Sequence, residues 1–160
     1  MRLSLANCMM VSVSGGFAAT APVDMLERAR ELCEEVGDED RLCEILDALA
    51  VQYANRLEHR KASAVAQELL RIAGRMHKPE TIGRACFWLG YSSLSEANFI
   101  EAMEEFGQAE LSAGTDSKRK VAFWNWRIGN RSMAAFALWI LGYPARAKAR
   151  SKESFVVARE

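Results

Sequence analysis

Proline and glycine are scarce in this chain of 160 residues, at 3 and 10, and histidine is scarcer still, at 2. So few helix breakers among abundant Ala, Leu, Glu, Arg and Met favour helix nearly everywhere. The 4 cysteines, Cys8, Cys33, Cys43 and Cys86, match neither a zinc pair nor a C-x-x-C redox motif. They read as small buried hydrophobes in a reducing, cytoplasmic compartment. His59 and His77 lie near expected helix ends and far from any cysteine at ligand spacing, so neither a metal nor any other cofactor is expected. No apolar run reaches the roughly 20 residues that a membrane span needs. Nor is there an excess of one charge: 21 Lys and Arg balance 21 Asp and Glu, which argues against a protein that coats nucleic acid.

What the chain does hold is apolar residues, 50% of the total, enough for one domain with a real core and too many for a disordered chain. The charge is also unevenly placed. Residues 24–47 carry ten acidic and three basic side chains, and residues 118–160 carry ten basic and two acidic, so the two ends are oppositely charged. At the N-terminus, LSLANCMMVSV followed by AATA before Pro22 has the outline of a secretory signal. Asn7, Ser12 and Ser14 interrupt its apolar run and Gly15-Gly16 follow, which favours a packed first helix instead.

Helical periodicity predicts helices over about 2–14, 22–36, 41–57, 60–75, 80–95, 98–113, 121–141 and 145–159. The breaks include Gly37-Asp38, Lys78-Pro79, Gly114-Thr115-Asp116 and Gly142-Tyr143-Pro144. An internal repeat is visible. From Gly83 to Gly114, Cys86, Leu89, Gly90 and Ser93 precede Ala102, Phe106 and Ala109, with small residues where two helices cross and large ones where they interdigitate. Sliding back 40 residues puts Leu46, Leu49, Ala50 and Tyr53, then Ala62, Ala66 and Leu69, in the same slots. A second step back gives Met9, Met10, Val13, Leu26 and Ala29. Sliding forward 45 gives Ala134, Ala135, Leu138, Ala147, Ser151 and Ser154. The expected fold is an all-α, tetratricopeptide-like helical-hairpin solenoid of four pairs, units about 2–37, 41–77, 80–114 and 121–160. The competing reading is an irregular helical bundle.

Catalysis finds no support. Glu34-Glu35 and Asp38-Glu39-Asp40 have no His or Cys at metal spacing, no serine has a G-x-S-x-G frame, and no phosphate loop is present. A protein or peptide ligand is the expected partner, on the face formed by the first helix of each pair. That face carries Glu44, Asp47, Val51 and Asn55, then Arg84, Phe87, Trp88 and Tyr91, then Phe136 and Trp139. Residues 84, 87, 88 and 91 share one helical face, and Arg84 would meet a partner carboxylate while Trp88 and Tyr91 anchor the ligand. The alternative for each aromatic is burial between helices. Lys118-Arg119-Lys120 with Phe123, Trp124, Trp126 and Arg127, and Arg146, Lys148, Arg150 and Lys152 further on, supply the competing nucleic-acid reading. Self-association through the C-terminal end is also expected, because Phe155 and Val156 lack a polar capping helix, with the acidic 24–47 region of another copy steering it.

The stretch ALWILGYPARAKARSKESFVVARE, with RARELCEEVGDEDRL and AQELLRIAGRMHKPETIGRACFWLGYSSLSEANFIEAMEEFGQA before it, resembles a group of bacterial proteins. It is similar to the tetratricopeptide-like region that follows a nucleotide-binding ATPase module in multidomain signalling and transcriptional regulators, including class III adenylate cyclase-type proteins. Its most specific element is LGYPARA-x-A-x-S, Leu141 to Ser151. The resemblance implies a regulatory scaffold, as a remnant, a fragment or a separate subunit. It implies neither ATPase nor cyclase activity, since neither a phosphate loop nor a cyclase domain with paired metal-binding carboxylates is present.

Overall fold

A computed structural model describes residues 21–112 and 125–157 of the chain. Every described element is helical: α1 (Ala21–Val36), α2 (Glu39–Asn55), α3 (His59–Arg75), α4 (Pro79–Ser95), α5 (Phe99–Ser112), α6 (Trp126–Ile140) and α7 (Pro144–Val157). The all-α class is as expected, with most boundaries close to those read from the sequence. The start expected near residue 121 differs: Asn125 caps α6, its side-chain oxygen accepting from the Arg127 N–H at 3.1 Å. Asp38 caps α2 in the same way through the Arg41 N–H, and Pro79 occupies the first turn of α4, where no N–H is missed. The expected helix at 2–14, the signal-like stretch, Cys8, Gly114 to Asp116, and Lys118 to Lys120 with Phe123 and Trp124 lie outside the described residues.

Five turns share one backbone solution. Gly37, Leu57, His77, Ala97 and Gly142 have φ of 73°, 60°, 53°, 64° and 84°. In each turn this residue's N–H returns to the carbonyl three positions back, and the next N–H to the one five back. At the second turn these bonds are Leu57 to Ala54, 3.0 Å, and Glu58 to Tyr53, 2.9 Å. Such a closure satisfies the last carbonyls of a helix within three residues, so the next helix must run antiparallel beside it. Gly37, Leu57, His77 and Ala97 stand 20 residues apart, and a helix plus its turn is therefore half of the 40-residue repeat.

Each helix packs on the next, and beyond that the backbones of α2 and α4, and of α4 and α6, approach one another. In the other row, long side chains make the link: Arg30 Nη2 of α1 donates to Glu68 Oε2 of α3 at 2.6 Å, and Arg150 of α7 pairs with Glu110 of α5. The row α2, α4, α6 thus runs closer together than the row α1, α3, α5, α7. Between the rows lies the core. Leu46, Leu49, Ala50, Ala62, Ala66, Leu69, Ala102, Phe106 and Ala109, the slots shared by the repeat, are fully buried. Each buried Leu or Phe contributes roughly 1.5–3 kcal/mol.

Small residues stand where the sequence places a close crossing. The Phe106 ring lies over Gly90, so a Cβ there would fall 2.6 Å from Cε1 and 3.2 Å from the Ala102 carbonyl oxygen. Gly83 receives the Trp126 indole in the same fashion, at 2.6 Å from Cη2. Asn130, buried on α6, donates to the Phe106 carbonyl at 3.0 Å and ties α6 to α5.

Candidate functional site

The closer row, α2, α4 and α6, is braced by carboxylates. Asp47 on α2 accepts from Arg84 Nη1 at 2.6 Å and from the Trp88 indole at 3.0 Å, both on α4. One pair further on, Glu80 on α4 accepts from the Trp126 indole at 2.7 Å and from Arg127 Nη2 at 3.1 Å, both on α6. An indole and a guanidinium from one helix close on a carboxylate of the preceding one in both joints. The Arg84 and Asp47 side chains are only 20% and 19% exposed, so water screens their attraction less than that of an open surface pair. A second set holds the acidic corner, where Arg75 pairs with Glu39 and Lys78 with Asp40.

This arrangement corrects the groove expected on α4. Phe87 and Trp88 are 1% and 7% exposed, and they pack edge to face with ring centroids 4.8 Å apart. Both belong to the core because α4 is covered by α2, α3, α5 and α6 together. Arg84, expected to meet a partner's carboxylate, meets Asp47 instead. Tyr91 is half-buried, 6.2 Å from the His59 ring. Glu44 and Asn55 are exposed on α2, while Val51 packs partly against the core. The expected groove residues therefore do not form one open surface. Trp126 and Arg127 of the nucleic-acid reading are likewise engaged, in the Glu80 brace.

Phe136 and Trp139 behave differently. They are 54% and 65% exposed and, with Ser132 and Ala135, form one wall of an open groove of about 590 Å³. Pro144, Ala145, Ala147, Lys148 and Ser151 of α7 form the other. Ile140 and Tyr143 are also exposed, and the Arg146 guanidinium lies over the Tyr143 ring at 5.4 Å. The repeat explains this exposure. Stepping back 45 residues, Trp139 corresponds to buried Leu94 and Phe136 to half-buried Tyr91. Moreover α4 packs on both α2 and α3, and α6 on both α4 and α5. No described helix takes that place on α6 and α7. Periodicity named Phe136 and Trp139, and the small residues opposite them on α7 stand in slots assigned to packing.

Away from the groove, burial keeps one phenol and three thiols in their protonated forms. Burial, helped by the hydrogen bond that Tyr53 donates to Glu27 Oε1 at 2.7 Å, pushes the Tyr53 phenol up to about 12. Burial also pushes the Cys86 thiol up to about 11, and Cys33 and Cys43 in the same direction, so these buried thiols are poor nucleophiles. Among the described residues no group of three or more His, Cys, Asp or Glu is placed to hold a metal ion, and no helix is long and apolar enough to cross a membrane. No protein-family model matches the sequence, and no curated protein matches it at a significant level.

Proposed function

We propose that this chain is a non-catalytic protein-interaction module, a tetratricopeptide-like stack of helix pairs serving as the regulatory or scaffold part of a bacterial signalling system of the ATPase and adenylate cyclase type it resembles. The fold reading is supported by the 20-residue turn spacing, the repeat-related core slots and the closer approach within the row α2, α4, α6. The observation that carries the functional reading is the exposed groove of Phe136 and Trp139 between α6 and α7. Aromatic side chains beside small ones, left in water on a rigid helical frame, are what a helical protein segment buries on docking.

A photo-crosslinking residue in place of Trp139, used in the cells that make the protein, tests this. The expected result is a protease-sensitive adduct of defined mass that is lost in the Phe136→Ser variant. A nuclease-sensitive adduct, formed less as salt rises, would favour the basic α7 as a nucleic-acid site instead. No adduct of either kind would overturn the interaction reading.

A further inference from the structure

Large apolar side chains are exposed unevenly along the described chain. The four helices between α1 and α6 expose only Ile100 and Leu111, with Leu57 in a turn, and the rest lie on α1 and on α6–α7. On α1, Met25, Leu32 and Val36 are 41%, 46% and 79% exposed. Their spacing, i, i+7 and i+11, puts them on one stripe, turned away from the core side chains Val23, Leu26 and Cys33 of the same helix. Exposed Asp24, Glu31 and Glu35 border this stripe together with one cation, Arg28, which pairs with Glu31 at 2.8 Å, so the border is acidic on balance. At the opposite end, Lys148 and Lys152 are exposed one turn apart on α7, and Lys148 is itself part of the groove wall.

We infer that the groove between α6 and α7 receives a second copy of this chain, docked head to tail through the Met25–Leu32–Val36 stripe of α1. This rests on the reading of that groove as a protein-docking site and names its occupant. Three features select the second copy. The groove lies where each earlier pair accepts another helix, and the stripe is a helical apolar face without a described neighbour. The third is charge: acidic residues flank the stripe and lysines flank the groove, so the correct encounter is attractive while groove against groove and stripe against stripe repel. Because the two surfaces differ, the contact is heterologous, and each copy offers one of each. Association therefore continues to chains or closes to rings, growing with concentration.

Sedimentation velocity of the full chain tests this, at low and high salt and up to high micromolar concentration. The expected result is a weight-average mass that rises with concentration and falls as salt is added. Trp139→Ser spoils the groove and Leu32→Ser the stripe. Both positions are exposed, and unchanged circular dichroism melting confirms folding. Each variant alone is expected to associate at least tenfold more weakly, whereas mixing the two restores a one-to-one dimer that grows no further, since one good groove then meets one good stripe. A parent protein that stays monomeric at low salt overturns the inference, as does a mixture that fails to pair. Leu32→Ser that dimerises as well as the parent points to groove-against-groove pairing and overturns it too. If the residue 139 crosslinker captures a different protein while the parent stays monomeric, only the choice of occupant fails and the interaction reading stands.

Discussion

Trp88 and Asp47, 41 residues apart in sequence, are joined by a hydrogen bond of 3.0 Å from the indole N–H to the carboxylate. The bond locks two helices of neighbouring pairs, and the same carboxylate takes Arg84. Trp88→Ala is expected to destabilise the fold by about 3–5 kcal/mol, the range for emptying a large aromatic site. Trp88→Phe removes the donor while keeping most of the volume and should cost about 1–3 kcal/mol. Urea titrations of both variants beside Asp47→Ala measure this. A Trp88→Ala protein as stable as the parent would return the residue to the surface role first expected of it.

The glycines within helices separate into two kinds. Gly90→Ala drives a methyl into the Phe106 ring and is expected to cost about 1–3 kcal/mol, with part of the loss recovered when Phe106→Leu is added. Gly107→Ala and Gly74→Ala meet nothing within 4 Å on helices, so each should gain about 0.5–1 kcal/mol. Thermal melts of the four proteins check the sign of each change.

Ala97 holds a left-handed conformation, φ 64°, for which an L side chain has a penalty and glycine has none. Ala97→Gly is expected to stabilise the protein by several tenths of a kcal/mol or more, the relief of turn strain outweighing the added freedom of the unfolded chain. Denaturant midpoints at constant slope are the measurement. A midpoint that moves down would mean that the closure bonds, Ala97 to Leu94 and Asn98 to Ser93, need the methyl to hold them.

Alkali should weaken the fold in two stages. The Cys86 thiol and the Tyr53 phenol lose their protons more readily in the unfolded chain, near 9 and 10, than in the folded one, near 11 and 12. The native state therefore binds more protons across this interval, and stability falls as pH rises from about 9 to about 12. Tyr53→Phe is expected to flatten the upper part of the fall and Cys86→Ala the lower part, read from chemical denaturation at successive pH values under reducing conditions.

Proline and glycine marked some helix ends openly, at Pro79, Pro144, Gly37 and Gly142. Leu57 and Ala97 carry no such mark, because the turn tolerates a non-glycine residue at an energetic cost, and only the even spacing of the repeat betrays them. Periodicity also placed Arg84, Phe87, Trp88 and Tyr91 on one face of α4. It had no means of saying that this face is covered, since α4 sits among four neighbours and is apolar nearly all round. The long reach from Glu80 to Trp126 and Arg127, 46 and 47 residues, was invisible for a related reason: a glutamate in the first turn of a helix could equally have faced water. Phe136 and Trp139 were legible as surface residues because α6 is covered on fewer sides.

Among the described residues, contacts reach no further than the second helix along the chain, which leaves the acidic and basic ends with no direct grip on each other. Opening α1 then breaks its bonds to α2 and α3, such as Tyr53–Glu27 and Arg30–Glu68, without touching the brace between Glu80 and Trp126. Amide hydrogens should consequently exchange on a gradient, fastest in α1 and α7 and slowest in α4, which has neighbours on every side. A chain built in this way yields from its ends inward, and whatever covers the ends governs how long the middle lasts.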